Sequence, residues 1–543
     1  MVCFETRTKT FLPFLLFGLL LTVVCLCHVS TVRTYPAPWG DEVHLLELGR
    51  CAVFERDTDW SIILSPRSSA AEIRPALFPT YLSGAVTELI YRTTGVFWAH
   101  RVFSILGLLV ATLLCCRWLC KKGYSMWIAG CVALLFCTEI HITRSAHFYR
   151  PDMWVLAMTF FCALQVASMA FKSARSQDRQ CAWVGLLMAF QLIYWFAAIF
   201  NWTLIIAEFL VLAQQEKWSR DDFFRRIGFF VVGVFAGLFV FLVIPFHDDI
   251  PRLAQQFLGH PDFVALQASS GATTRSPGVM WYATASITHL RVFALLLARA
   301  PFLWLLTAIG LVSCFCRNKV FAILFLSTGL VVIATNVYCF RMIYLLPFGV
   351  FFAAAGLDSS LKKCGKVRLF CNIVKVYSCL ALLFGFGVSV VGLNLIAANK
   401  GAGQDMAWMV SKLESVIGKE AKRVYIFSWQ PYFVGRELGW HLYSFLPKHP
   451  KYILQREAVQ FLASMDYILV QERSDGLTED NDRVPLTKAE NLYLREEGFL
   501  PVAEVSMPSD DTSRLMGRLR RLIFAWEYPS FTVLKNQRNR SLK

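Results

Sequence analysis

Long apolar segments, separated by short polar loops, dominate the first three quarters of the chain. Eleven of them are candidate spans, and several reach the roughly 20 residues that a helix needs to cross a bilayer. They are residues 11–28, 97–119, 124–142, 153–171, 181–200, 202–214, 227–246, 291–315, 320–338, 340–357 and 376–397. The pattern predicts a polytopic α-helical membrane protein with about 11 transmembrane helices.

The charges in the loops predict an orientation for these helices. Arg7 and Lys9 precede the first segment, and Lys and Arg recur in alternate loops. Because cytoplasmic loops are enriched in Lys and Arg, residues 29–96, 143–152 and 247–290 are predicted to be external loops. Residues 76–95 are semi-apolar but contain Glu88 and Arg92. A full span there would place the basic loops outside, so we predict an interfacial helix.

The last part of the chain has a different pattern. Met406, Met409 and Leu413 recur at helical spacing, and short apolar runs at 424–427, 467–470 and 531–534 resemble strands. A small α/β domain is the natural interpretation. We therefore predict a transmembrane domain over residues 1–398 and a C-terminal α/β domain over residues 399–543 on the external face.

Composition agrees with a membrane protein. Of the 543 residues, 56% are hydrophobic and only 17% are charged, whereas soluble proteins have about 25% charged residues. The net charge of +16 raises the question of nucleic acid, but the basic residues cluster in short loops between spans, which argues against that partner. The cysteines lie mostly in spans or basic loops and predict no disulfide framework.

An acidic pair, Asp41-Glu42, follows the first span. Adjacent carboxylates near a low-dielectric region repel each other, which can hold one of them at a pKa suited to proton abstraction. The alternative is a helix N-terminus, where acidic residues simply offset the macrodipole.

Further polar clusters are predicted on the same external face. Charged groups near membrane depth are costly unless they pair or line a hydrated cavity, so they indicate function. Carboxylates mixed with arginines favour an anionic ligand such as a phosphate beside a base. Salt bridges that clamp the spans are the alternative. The residues are Arg74, Arg150 with Asp152 and the nearby His141 and His147, and Arg341 with Tyr344.

The order and spacing of these motifs resemble the GT-C superfamily of membrane glycosyltransferases, in the branch of protein O-mannosyltransferases and the lipid A aminoarabinose transferase. The resemblance covers about residues 11–398. It rests on the following residues: Asp41-Glu42 after the first span, Arg74-Pro75 opening a segment that ends at Gly95, Arg101 entering the second span, Pro151-Asp152 before the fourth, and Arg341, Tyr344 and Pro347 late in the chain.

The resemblance implies a sugar donor on a polyprenyl or dolichyl phosphate and an acceptor hydroxyl on a lipid, glycan or protein. Asp41 would act as general base in an inverting displacement, with Glu42 beside it and Asp152 as the next catalytic candidate. Arg74, Arg150, Arg341 and Tyr344 would bind the donor phosphate. His141 and His147 are weak candidates for a divalent metal, since their spacing matches no metal signature.

Two other functions stay open. A transporter or flippase of a lipid-linked or anionic solute would also need polar residues in a membrane cavity. Transporters usually have repeated halves and discontinuous spans, and the sequence indicates neither; the polar residues are predicted to gather at one face and not in the middle of spans. A structural subunit that binds partners through the tail is the third hypothesis. The compartment is expected to be the bacterial inner membrane, with the endoplasmic reticulum membrane as the alternative.

Overall fold

A computed structural model gives the fold. It describes residues 2–33, 40–50, 54, 81–246, 290–291, 293–298, 300–316, 318–335, 342–363, 368–398, 406–420, 422–426, 431–443, 464–471, 494–505 and 531–538. Contacts divide the chain into two compact units. The first contains residues 1–29, 78–80 and 101–392, and the second contains residues 30–77, 81–100 and 393–543.

Helices make up most of the described chain. In order they are α1 (Val2–Thr31), α2 (Gly40–Gly49), α3 (Tyr81–Thr94), α4 (Ala99–Lys121), α5 (Met126–Cys137), α6 (Ile140–His147), α7 (Asp152–Ala167), α8 (Ala174–Tyr194), α9 (Ile199–Gln215), α10 (Arg220–Leu238), α11 (Pro301–Cys314), α12 (Lys319–Thr335), α13 (Leu346–Lys363), α14 (Arg368–Phe386), α15 (Leu393–Ala398), α16 (Met406–Ile417) and α17 (Pro431–Leu438). Short 3₁₀ turns cover Phe196–Ala198 and Ile343–Leu345, and π-helical turns cover Phe239–Val243 and Gly387–Gly392.

Within the described part of the chain, six helical stretches are long and apolar enough to cross a membrane. They are Leu12–Thr31, Ala99–Lys121, Phe196–Gln215, Arg220–Val243, Ile343–Lys362 and Asn372–Leu395. The pair α5 and α6, bent by 56°, makes a seventh if it counts as one span. Each predicted segment overlaps a helix, but α7, α11 and α12 are shorter than a full span. The structure thus supports an integral membrane protein with six or seven candidate spans, and the number eleven stays a prediction.

The segment predicted to lie at the interface forms α3, of 14 residues. It is not among the stretches that qualify as spans in the described chain. It contains Glu88, which is buried, and Arg92, the two charged residues noted in the sequence. The described helix therefore fits a short element better than a membrane crossing.

The candidate spans of the first unit differ in how much of them is covered by protein. The window in Ile343–Lys362 is 89% buried, whereas that in Arg220–Val243 is only 17% buried. Apolar side chains such as Val232 and Phe235 are exposed on the latter. An apolar helix face without protein cover is the surface that lipid would occupy.

Glycines allow α8 and α10 to pack at very short range. A Cβ atom on Gly185 would lie 2.1 Å from the Phe230 carbonyl oxygen, and one on Gly233 would lie 2.0 Å from the Ala182 carbonyl oxygen. Small residues at helix crossings are characteristic of membrane bundles, where close backbone approach replaces the hydrophobic effect. The two helices therefore form a tightly joined antiparallel pair.

The second unit contains a five-stranded sheet of order β2-β1-β3-β5-β4. The strands are β1 (Arg423–Ile426), β2 (His441–Tyr443), β3 (Tyr467–Gln471), β4 (Phe499–Val505) and β5 (Phe531–Asn536). β1 pairs in parallel with β2 and β3, while β5 pairs antiparallel with β3 and β4. The runs predicted at 424–427, 467–470 and 531–534 coincide with β1, β3 and β5.

Helix α17 connects the parallel strands β1 and β2, as a parallel pair requires. It lies in one hydrophobic core with the sheet and with α2, whose Val43 and Leu46 are fully buried there. This unit therefore joins residues from both sides of the predicted border at 398/399. That border stays a prediction about sequence domains, whereas the described core includes α2 and the tail together.

Candidate active site

The acidic pair lies in the first turn of α2, which begins at Gly40. The backbone of Asp41 is helical, but its side chain lies outside the described residues. Glu42 is completely buried, and its Oε1 atom lies 3.1 Å from Nε2 of His100, which is also buried. The His100 ring stacks on Phe433 of α17 at 5.9 Å between centroids. Both acidic residues lie in the first turn of α2, where negative charges offset the helix macrodipole, as the alternative interpretation of the pair requires. Glu42 has in addition a specific partner in His100.

A second carboxylate of α2 is bound by the tail. Glu47, 1% exposed, accepts a hydrogen bond from the Tyr432 hydroxyl and one of 2.8 Å from Nη2 of Arg50. Burial, and after it the Glu47 charge, raises the pKa of Tyr432 well above its usual value. The hydroxyl therefore stays protonated and remains a donor to Glu47 over the whole neutral range.

A third buried carboxylate, Glu88 of α3, is bound by two arginines. Arg436 of α17 donates two hydrogen bonds to it, of 2.7 and 3.0 Å, and Arg92 donates one of 2.8 Å. The Arg436 guanidinium also lies 4.5 Å from the centre of the Tyr91 ring. Because a bidentate arginine fixes both distance and orientation, this pair defines how α3 lies against α17.

The crossing of α2 and α3 completes this cluster. A Cβ atom on Gly49 would lie 2.1 Å from the Gly84 carbonyl oxygen. The two helices therefore pack backbone to backbone at this point. We call Glu42, Glu47, Glu88, His100, Tyr432 and Arg436 the carboxylate block.

Sequence reasoning missed most of the carboxylate block. Glu47 with Arg50 and Glu88 with Arg92 stand at helical i,i+3 and i,i+4 spacing, which was visible in the sequence. Tyr432 and Arg436 lie some 385 and 348 residues from their carboxylate partners. No local pattern reports contacts over such a separation.

Asp152 is the centre of a separate polar cluster in the first unit. It begins α7, is completely buried, and accepts hydrogen bonds from Ser145 Oγ at 2.8 Å, Arg150 Nε at 2.7 Å and the Tyr344 hydroxyl. The Arg150 guanidinium lies 5.2 Å from the Trp195 ring centre, and the Tyr344 ring lies 6.1 Å from that of Phe200. The structure thus brings together the predicted residues Arg150, Asp152 and Tyr344. We call them the Asp152 cluster.

The two histidines suggested for a metal have different neighbours. His141 Nε2 lies 3.2 Å from the Leu296 carbonyl oxygen, whereas His147 Nδ1 lies 3.2 Å from His28 Nδ1. Within the described residues, no group of three or more His, Cys, Asp or Glu side chains is arranged to hold a metal ion.

All eight residues of α6 are buried, although five of them are polar or charged. Glu139 caps its start by accepting from the Ile142 amide at 3.0 Å, and Thr143 donates to Ser389 in a π-helical turn. π-turns recur at functional sites. This short helix leads directly to Arg150 and Asp152, and its fixed ends position that cluster.

Three more arginines were singled out in the sequence. Arg74 and Arg341 lie outside the described residues. Arg101 at the start of the second span is completely buried.

The fold is similar to that of a known arabinofuranosyltransferase. A cryo-EM structure of arabinofuranosyltransferase AftD from Mycobacteria (class 2 of a mutant) matches with a TM-score of 0.50 at 14% sequence identity. The match covers 96% of this chain and 41% of that one, so this chain spans about two fifths of its length. Class 1 of the same enzyme has a TM-score of 0.47 at 14% identity, with the same coverage.

No protein-family model matches the sequence, and no curated protein matches it. The likeness to AftD therefore bears on the fold. The described fold is similar to that of AftD, and membership of the GT-C superfamily stays an expectation from the sequence.

Proposed function

We propose that this protein is a membrane glycosyltransferase that moves a sugar from a polyprenyl- or dolichyl-phosphate donor to an acceptor hydroxyl. The Asp152 cluster is the observation that carries the proposal. A buried carboxylate and a buried tyrosine hydroxyl lie together with a half-buried arginine in a chain whose fold is similar to that of AftD. Charged side chains within a membrane protein cost free energy, and a site for a polar ligand explains their presence better than packing does.

The general base is assigned to Asp41. Both other carboxylates of α2 are already engaged, Glu42 with His100 and Glu47 with Tyr432 and Arg50. Engaged carboxylates hold a helix in place more readily than they abstract a proton. We therefore assign Glu42 to holding the start of α2, and Asp41 to activating the acceptor hydroxyl for attack on the anomeric carbon.

Asp152 takes a different part in the proposed reaction. Its carboxylate accepts from three donors, including a cation. An acceptor so fully occupied orients Arg150 and Tyr344 rather than taking a proton. Those two groups, with Arg74 and Arg341, are the proposed contacts to the donor phosphate, where cations would stabilise the charge that develops on the leaving group.

The leading experiment separates transfer from transport. Purified protein in nanodiscs or liposomes is given undecaprenyl phosphate carrying a labelled sugar, together with lipid A, a peptide or a polysaccharide as acceptor. We expect label on an acceptor and release of undecaprenyl phosphate. An intact donor that has moved to the other leaflet would favour the flippase alternative, and no change of either kind would refute the proposal.

A further inference from the structure

Helices α7 and α8 form an antiparallel hairpin whose two ends are both fixed by contacts. At the end nearer the loop that joins the two helices, Gln180 Nε2 donates to the side-chain oxygen of Gln165 at 2.7 Å. At the other end, Trp195, which follows α8, lies under Arg150, which precedes α7. The end of α8 therefore lies beside the start of α7, next to the Asp152 cluster.

Two buried carboxamides lie at this end. Gln191 is 0% exposed and belongs to the buried stripe of α8 that also holds Gln177, Cys181, Val184 and Met188. It precedes Trp195 by four residues, which is about one helical turn. Asn201 is 1% exposed near the start of α9 and directly follows Phe200, the aromatic neighbour of Tyr344. Gln191 therefore lies one turn before Trp195, and Asn201 lies next to Phe200 in the chain, so both amides belong to the segments that contact the Asp152 cluster.

Neither amide has a hydrogen-bond partner in the described structure. Both the nitrogen and the oxygen of Gln191, and both those of Asn201, are buried without one. Each unmet buried polar group costs about 1–3 kcal/mol, and buried side-chain polar atoms are paired in the large majority of cases. Four unmet atoms in the two segments that contact one charged cluster therefore point to a polar ligand.

The chemistry of the four atoms indicates what that ligand is. A carboxamide offers two N–H donors and a carbonyl acceptor and carries no charge. A hydroxyl group donates and accepts at once, so a ring bearing several hydroxyls matches two carboxamides better than a phosphate does. Aromatic side chains beside a few polar groups are typical of small-molecule sites, and Trp195 and Phe200 are the aromatic neighbours of Arg150 and Tyr344 here.

We propose that Gln191 and Asn201 bind hydroxyl groups of the transferred sugar and thereby set which sugar the protein accepts. The inference rests on the proposed glycosyl transfer and adds the sugar-recognition residues to it. It also explains why Asn201, although it opens the glycosylation-type sequence Asn201-Trp202-Thr203, is buried in a helix and not displayed on the surface.

The test compares two glutamines on one stripe of one helix. Gln177 is also buried and its Oε1 atom is unpaired as well, but its Nε2 atom donates to the Met169 carbonyl oxygen at 3.0 Å, so it makes one internal hydrogen bond that Gln191 lacks. Gln191→Met and Asn201→Leu remove the proposed sugar contacts, and Gln177→Met, about 21 Å further along the helix, is the control. Each variant is measured for thermal stability and for transfer from undecaprenyl-phosphate mannose, glucose and arabinose, with deoxy analogues of each sugar.

The two kinds of variant are expected to behave in opposite ways. Gln177→Met should lower the melting temperature and keep the wild-type order of preference among sugars, because it loses an internal hydrogen bond. Gln191→Met and Asn201→Leu should leave stability unchanged or raised, since apolar groups replace unmet polar ones. They should raise KM for the preferred donor about 10-fold and reduce the discrimination against one deoxy analogue.

The outcomes separate this inference from the function on which it rests. If the wild-type protein transfers sugar while Gln191→Met and Asn201→Leu keep the wild-type KM and sugar preference, the amides hold only water and the inference is wrong. If the wild-type protein transfers no sugar from any of the donors, the proposed function is refuted, and the inference, which rests on it, is refuted as well.

Discussion

The pair between Arg436 of the tail and Glu88 of α3 should be among the most costly contacts of the second unit to break. Glu88 is 0% exposed, and the Arg436 side chain is 17% exposed. Arg436→Met keeps much of the side-chain length and removes the charge. Arg92, whose side chain is 38% exposed, remains as the second partner. Removal of one member of a buried pair costs about 3–5 kcal/mol, and the remaining Arg92 places the expected loss near 3 kcal/mol.

This loss should be visible as a fall of about 6–12 °C in the melting temperature, followed by tryptophan fluorescence in detergent. The double variant Glu88→Met with Arg436→Met should melt closer to wild type, because no buried charge is then left without its partner. Lys419→Met is the control. It breaks the Lys419–Glu414 pair, whose side chains are 70% and 37% exposed, and should cost less than about 1 kcal/mol. Equal melting temperatures for Arg436→Met and Lys419→Met would refute the reasoning.

Three further predictions test other parts of the structure. Tyr344→Phe removes one donor to Asp152 and should lower turnover by about 10-fold, without a change in the detergent-extracted yield; unchanged turnover would leave the hydroxyl without a part in the reaction. Gly49→Ala would place a methyl group 2.1 Å from the Gly84 carbonyl oxygen and should destabilise the protein by about 1–3 kcal/mol, whereas Gly18→Ala, at a glycine with nothing within 4 Å, should be tolerated. Reporter fusions at the C-terminus should place residues 399–543 outside the cytoplasm, because the basic loops alternate with the spans; a cytoplasmic tail would mean an even number of spans.

The sequence predicted the helices and several strands well because those depend on local periodicity. The apolar runs became α4, α9 and α13, and the run at 467–470 became β3. It also identified Arg150, Asp152 and Tyr344, since charged and polar residues beside apolar spans stand out against their surroundings. The bend between α5 and α6 was missed, because Thr138 and Glu139 interrupt an otherwise continuous apolar segment without a proline or glycine to mark it.

The contacts of the carboxylate block could not be predicted from the sequence, for a different reason. Glu47 and Glu88 each have an arginine three or four residues later in the chain. In the sequence, that local arginine is a sufficient partner for the carboxylate, so nothing there indicates a second one. Their contacts with Tyr432 and Arg436 depend on how β1, α17 and β2 fold around a core that includes α2. Long-range packing of this kind decides which acidic residue of α2 is engaged, and the sequence pattern alone does not carry that information.

The most direct test of the central claim is the Asp41→Asn variant in the transfer assay, beside a donor-binding measurement. Asparagine keeps the shape of the side chain and cannot accept the proton. We predict that turnover falls by about 10²–10⁴, while binding of the undecaprenyl-phosphate sugar and the melting temperature stay at the wild-type values. Full turnover by Asp41→Asn would contradict the account and leave the acidic pair as the cap of α2.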